Sequence, residues 1–401
     1  MRRYLYLLAL AVLAIGWVPH RVLAEDQKLE FSGDLRGRWE GFWFAEDATG
    51  YEKADRRRIR YRLRLNAKAT LNEHAIAAIR LGSGGVDNRS GNQTLGDPVD
   101  FGPNAFSIRR AYLTFYPWAM GGLGSREGHL SFQFGRVGIP FIWKHGKDIM
   151  LLDNDLNPAG VSANFDILAG GATSFFVNAG GFVVDEKSSA VDPYFTGLQA
   201  GVESKFSEAV SAGIRGSWYY FGNLDTLFLQ RGIDGEGGVT DAGGNISGGL
   251  TGDPLGGRLA VLETQVFVGI HKSEPWPVTA FGGFSSNLDA ATVDTLGTGK
   301  EGIAYNAGIE LGDKKKILKL GVAYYHIEAN SYPSQFIDSD LLDGHTNRQG
   351  PLVYFQKRVL AGTDFNVQLF NSRPIEENTG FQDSVKNSKR TRIQVDLVYA
   401  F

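Results

Sequence analysis

The chain has 401 residues, with 41 Lys plus Arg against 44 Asp plus Glu for a formal charge of −3, 52 glycines and no cysteine. Without cysteine, disulfides, thiolate catalysis and sulfur-ligated metals are excluded, and the balanced charge lacks the basic excess of a nucleic-acid binder. Glycine together with 26 Phe and 15 Tyr favours strands and tight turns over helices, a composition that soluble periplasmic β-proteins share.

The first element is a secretory signal. Met1-Arg2-Arg3 supplies positive charge, Tyr4 to Val18 is apolar but shorter than the roughly 20 residues of a spanning helix, and Val22-Leu23-Ala24 places small residues at −3 and −1. This predicts cleavage after Ala24, giving a signal peptide at 1–24 and one mature domain at 25–401; the flank pattern speaks against an uncleaved anchor. Beyond Ala24 no window approaches 18 uncharged apolar residues, so entry into a membrane requires the other spanning solution, a closed β-barrel.

About sixteen strands are predicted, at 29–44, 56–71, 74–83, 105–117, 128–137, 160–168, 173–184, 195–206, 209–221, 258–271, 276–286, 303–312, 316–328, 351–360, 363–371 and 390–401. Their connections alternate. Turns of a few residues, such as Asn72-Glu73, Ser207-Glu208 and Ala361-Gly362, are separated by long polar or Gly-rich stretches at 84–104, 138–159, 222–257, 287–302, 329–350 and 372–389. Short periplasmic turns, long external loops and an even strand count describe a transmembrane antiparallel barrel of the all-β class. The stretch from Trp118 to Glu127 is long for a periplasmic turn and leaves 14 or 18 strands open.

Period-two alternation is clearest in the last strand. Ile393, Val395, Leu397, Tyr399 and Phe401 share one face, and Arg392, Gln394 and Asp396 the other. Lipid on one side and water on the other suit that pattern. A final Phe401 with Tyr399 two residues before it resembles the signal by which outer-membrane barrels are recognised for assembly. Aromatic clusters at Phe42-Trp43-Phe44, Tyr112 to Trp118, Trp218 to Phe221, Tyr324-Tyr325 and Tyr399 to Phe401 look like interface girdles.

Several segments resemble the putative-porin family of Gram-negative bacteria: Arg56 to Leu71, Asn92 to Asp97, Arg110 to Thr114, Asp153 to Gly160, Tyr324 to Asn330, Phe370 to Ile375 and Gln394 to Leu397. They occur in order from about residue 30 to the end. The resemblance implies a general or lightly selective diffusion channel and brings no established solute.

Arg58, Arg60, Arg62 and Arg64 alternate with Ile59, Tyr61, Leu63 and Leu65, which puts four guanidiniums on one strand face. An Arg facing lipid near the bilayer midplane costs about 2–4 kcal/mol, so these side chains must face the lumen. Arg36 and Arg38 share a face with Glu30, Asp34 and Glu40, and Arg390, Arg392 and Asp396 lie on the polar face of the closing strand. The first, second and last strands then form one basic wall, with Arg110, Tyr112 and Thr114 extending the polar surface elsewhere. Two readings stand side by side: a ladder that hands anions along by charge-assisted hydrogen bonds, and a scaffold of arginines paired with neighbouring acids.

The candidate constriction loop is Gly138 to Ala159, carrying Lys144, His145, Lys147, Asp148, Asp153 and Asp155 beside apolar Phe141, Ile142, Trp143, Leu151 and Leu152. Apolar residues in a long loop favour burial, so the loop is expected to fold inward, its acids facing the arginines across the pore. Capping the mouth or touching a neighbouring protomer is the alternative. The loop at 222–257 carries Gly and Asp without a nine-residue period and reads as a mobile external loop rather than a calcium site. Seven histidines without i, i+3 or i, i+4 pairs give no metal ligand set, and no G-x-S-x-G hydrolase signature occurs.

The expectation is therefore a porin of the Gram-negative outer membrane, passing small polar or anionic solutes with weak to moderate anion preference. It needs no cofactor, metal or catalytic residue. Its partners are outer-membrane lipid and the barrel-assembly machinery, not nucleic acid, and a homotrimer is the common porin assembly. The rival classes are a structural or adhesive barrel with a blocked lumen, and a barrel enzyme with a Ser, His and acid grouping at one rim.

Overall fold

The computed structural model describes residues 28–43, 55–84, 88–96, 102–117, 130–142, 151–169, 172–188, 190–224, 258–271, 276–290, 301–375 and 389–401. The predicted signal peptide, Lys144, His145, Lys147, Asp148, the Trp118 to Glu127 stretch and residues 225–257 of the Gly- and Asp-bearing loop lie outside the described residues.

Strands run along the chain as β1 (Lys28–Trp43), β2 (Arg56–Thr70), β3 (Ala75–Ser83), β4 (Gln93–Thr94), β5 (Phe106–Phe115), β6 (Leu130–Arg136), β7 (Ala159–Ala169), β8 (Thr173–Val183) and β9 (Tyr194–Ser207). They continue as β10 (Val210–Gly222), β11 (Arg258–Ile270), β12 (Val278–Asn287), β13 (Ile303–Gly312), β14 (Lys319–Ile327), β15 (Arg348–Leu360), β16 (Thr363–Pro374) and β17 (Arg390–Ala400). Every long strand pairs antiparallel with its sequence neighbours, and β1 pairs with both β2 and β17, so the sheet closes on itself. β4 is a two-residue strand contributed by a loop and pairs with Arg60 and Tyr61 of β2. Sixteen strands therefore make the barrel wall, and the 14- and 18-strand alternatives fall away.

Closure leaves no free edge to satisfy in lipid. Asp34 pairs with Ala400 and Trp43 with Thr391 at one seam, while Lys28 pairs with Thr70 and Phe42 with Arg56 at the other. A slip of one residue would turn Arg58, Arg60, Arg62 and Arg64 of β2 toward lipid. The pleat fixes the two faces. Leu35, Ile59, Val266 and Leu397 lie on the outer surface, whereas Arg38, Arg62, Gln265 and Asp396 are buried on the inside.

Strand boundaries follow local chemistry. β14 begins three residues later than its predicted start because Lys316 and Ile317 donate backbone N–H groups to the Asp313 carbonyl and Lys315 N–H bonds the Asp313 side chain, forming a turn. The aromatic clusters are split by the pleat. Trp218, Tyr220 and Tyr324 face outward as a girdle requires, but Tyr219, Phe221 and Tyr325 point inward and pack against loops in the lumen.

Candidate functional site

The arginine alternation on β2 and its closure against β1 and β17 build one charged wall. The register sets Arg64 beside Asp34, Arg62 beside Arg36, Arg60 beside Arg38 and Arg58 beside Glu40. Across the other seam Arg38 meets Asp396 and Glu40 meets Gln394. Arg38 donates through Nε and Nη2 to the Asp396 carboxylate at 2.7 and 2.8 Å, a bidentate pair. Glu40, fully buried, accepts from Arg392 Nε at 2.9 Å, from Gln394 at 2.9 Å and from Arg58. Asp34 bridges Arg62 at 3.0 Å and Arg64 at 2.6 Å.

Three loops dock on this wall. The segment ahead of β4 offers Asn92, whose Oδ1 accepts from Arg36 Nη2 at 2.6 Å. The loop from Gly138 to Pro158 packs on the inner wall through its described parts, 138–142 and 151–158. At one end Phe141 is fully buried, its ring 5.8 Å from Phe195 and 5.4 Å from Tyr219. Its carbonyl accepts from Arg215 at 2.6 Å and Gln199 at 2.8 Å. Gly197 makes the socket, since a Cβ there would lie 2.4 Å from the Phe141 ring. At the other end Asp155 meets Arg64 at 2.9 Å and Arg62 at 3.3 Å, and Asn157 accepts from Arg110 Nε at 2.6 Å.

Of the loop's acids, Asp153 and Asp155 fall within the described residues, and their placement differs from the expected one. Asp155 sits in contact with the arginines instead of facing them across an open gap, because the end of the loop that carries it lies on the wall. Among the described residues Asp153 touches no arginine. Its carboxylate accepts backbone N–H groups of Asp155 at 2.7 Å and Ser339 at 2.9 Å and so holds a turn and a loop junction.

The third docked loop, 328–347, brings to the wall an acid that was not among the expected site residues. Asp340 accepts two hydrogen bonds from Arg38 Nη1, at 2.7 and 2.8 Å, and others from Arg392 at 3.1 Å and Gln394 at 2.9 Å. Tyr332 donates to Glu263 on β11, Phe336 stacks on Phe221 at 5.6 Å, and Arg89 donates to the carbonyls of Ser334 and Gly344. Leu152 and Ile337 form a backbone bridge that joins the two inward loops. The signal was present in the sequence: Tyr332, Phe336, Ile337, Leu341 and Leu342 are apolar residues in a long loop, the feature that marked 138–159 for burial.

Among the described residues nine guanidiniums line this wall, those of Arg36, Arg38, Arg58, Arg60, Arg62, Arg64, Arg80, Arg110 and Arg392, and carboxylates touching them include Asp34, Glu40, Asp396, Asp155 and Asp340. Arg80, on β3, was not among the expected ladder residues. Its register partner Asn66, on the arginine face of β2, brings it to the lumen, where its Nε donates to Asn66 Oδ1 at 2.6 Å. At the chain end Phe401 exchanges backbone hydrogen bonds with Gly33 at 2.9 and 3.1 Å, and its ring lies over that glycine and 5.9 Å from Tyr399. Among the described residues no group of three or more His, Asp and Glu could hold a metal ion.

A closed sixteen-stranded barrel with an apolar exterior, a charged interior and inward loops has the architecture of outer-membrane porins. Residues 49–228 match the family model described as putative porin, the family whose segments the sequence resembles. Among solved structures, OprB of Pseudomonas putida aligns with TM-score 0.56 and 13% identity over 93% of this chain and 94% of that one. The outer membrane channel DcaP of Acinetobacter baumannii aligns with TM-score 0.49 and 15% identity over 96% of this chain and 100% of that one. No curated protein sequence matches the chain. Family match and fold together place the protein in the outer membrane of a Gram-negative bacterium.

Proposed function

We propose that the protein is a passive channel for small polar solutes with a preference for anions. The observation that carries this reading is the excess of guanidiniums over carboxylates on the lumen wall after the loop acids Asp155 and Asp340 have docked. Charges that line a confined aqueous path raise the local concentration of counter-ions and set selectivity. The wall serves as both ladder and scaffold: Arg38, Arg58 and Arg392 are held by carboxylates through hydrogen bonds, while the ion pair of Arg60 among the described residues is a longer one, to Glu40 at 3.8 Å.

The test is the reversal potential of the purified protein in a planar bilayer under a salt gradient. Anion-side reversal is expected for the wild type, with a shift toward cations on replacing Arg60 and Arg62 by Ala. An unshifted potential in that double variant rejects the wall as the filter. Absence of any conductance from a folded barrel would instead favour an adhesive role for the external loops.

A further inference from the structure

The basic surface changes character where β3 meets β5. Arg80 and Arg110 are direct partners in the register, so two like charges stand opposite one another on one sheet face. Such an arrangement is destabilising unless a counter-charge is shared. Among the described residues neither guanidinium forms an ion pair; each spends only its Nε, on the neutral amides of Asn66 and Asn157, both at 2.6 Å. Those amides orient the side chains without neutralising them. Asp155, two residues before Asn157, is committed to Arg62 and Arg64.

The consequence is geometric. With Nε tied, each guanidinium keeps its two terminal nitrogens without an acceptor among the described residues, and these are the fork that matches the two oxygens of a carboxylate or phosphate. Tyr112, two residues beyond Arg110 on the same face, makes no hydrogen bond among the described residues and adds a hydroxyl. Gly138 lies so close that a Cβ there would be 2.5 Å from Arg110 Nη1, so a side chain larger than hydrogen would crowd the fork. In the register Arg64 faces Gly82 and Asn66 faces Arg80, one ladder step nearer the short turns. An anion that had passed the β2 arginines would reach this pair next.

We infer that Arg80 and Arg110 form an oxyanion-binding subsite in the lumen, which takes small carboxylates or phosphate in preference to halide. The inference rests on the anion-channel reading for its role in permeation, but not for its binding. A halide has no pair of oxygens to meet the fork, so charge alone would not produce the preference.

Binding is measured first, by calorimetry on the full protein folded in detergent, with inorganic phosphate and succinate as separate probes and chloride as background salt. Saturable binding of both probes is expected, and the ratio of their affinities tells which oxyanion the site suits. Replacing both arginines with Gln should weaken binding roughly tenfold or more, as loss of charge-assisted hydrogen bonds implies. Replacing both with Lys keeps the charge and removes the fork, and should weaken binding several-fold; heat-modifiable gel migration verifies that each variant is folded. Chloride currents in bilayers are then expected to fall saturably as either probe is added to the wild type. No binding by the wild-type barrel, or equal binding in a folded Gln or Lys variant, overturns the subsite. A barrel that binds the probes but does not conduct keeps the subsite and removes the channel reading.

Discussion

At the carboxylate of Asp340 burial raises the cost of the charge, but Arg38, Arg392 and Arg36 outweigh it and hold the pKa well below the ordinary 3.8. A depressed carboxylate stabilises the docked loop above the unfolded pKa, and that contribution is lost as pH falls through the folded one. The loop is therefore expected to stay seated through neutral and mildly acidic pH and to loosen only in acid well below 3.8. Asp153 behaves in the opposite sense: burial first, then Asp338 and Asp155, push it well above 3.8. Its protonated form suits the fold, so its contribution is present below the unfolded pKa and is lost as pH rises through the folded one. Asp340→Asn should mimic acid release at neutral pH, raising open-channel conductance and costing about 2–4 kcal/mol in denaturant unfolding. That figure is set below the fully buried range because the side chain is 25% exposed. Asp153→Asn should cost far less at pH 7, since it removes the penalised charge; a loss as large as that of Asp340→Asn would contradict the assignment.

Among the elements, the loop from Gly138 to Pro158 is held at both ends, by Phe141 in its aromatic socket and by Asp155 on the arginines. The socket requires glycine at 197, where a methyl group would collide with the ring. Removing the Phe141 side chain takes away a buried aromatic anchor, a change of about 3–5 kcal/mol in a packed core. Here most of it should be spent on undocking the loop while the wall persists. Phe141→Ala is expected to increase single-channel conductance with little change in the heat-modifiable migration of the barrel. Unchanged conductance would show that this loop does not limit the pore.

For the whole molecule, the distribution of burial is inverted relative to a water-soluble protein: the apolar face is outside and the charged face inside. Val266, in the inner part of β11, is 43% exposed and belongs to the outer band, while its neighbour Gln265 is buried in the lumen. Val266→Arg should destabilise the barrel in a bilayer by about 2–4 kcal/mol near the midplane and less toward an interface. Unfolding by urea in lipid vesicles checks this, and a neutral result would place that face against protein or water. Trp39 and Trp43, with rings 5.6 Å apart, and Tyr399 and Phe401, with rings 5.9 Å apart, are aromatic pairs along the two paired strands that close the barrel.

The sequence by itself determined the barrel, because a β-strand reports both of its environments in every second residue. The alternation of Arg58 to Arg64 with apolar neighbours, and of Arg392 to Asp396 with Ile393 to Leu397, is enough to assign wall, lumen and lipid faces. Strand positions and count follow from the same periodicity and from the spacing of turns. Only the tertiary structure decided what lies inside the barrel. Pairing across 302 residues, as between Arg38 and Asp340, and the convergence of Arg80 and Arg110 leave no local period, since loops obey no pleat and their contacts depend on the curvature of the closed wall. Asp153 and Asp155 show the limit most plainly: two residues apart and of one chemistry, they take different roles because, among the described residues, Asp155 reaches arginines and Asp153 reaches backbone N–H groups.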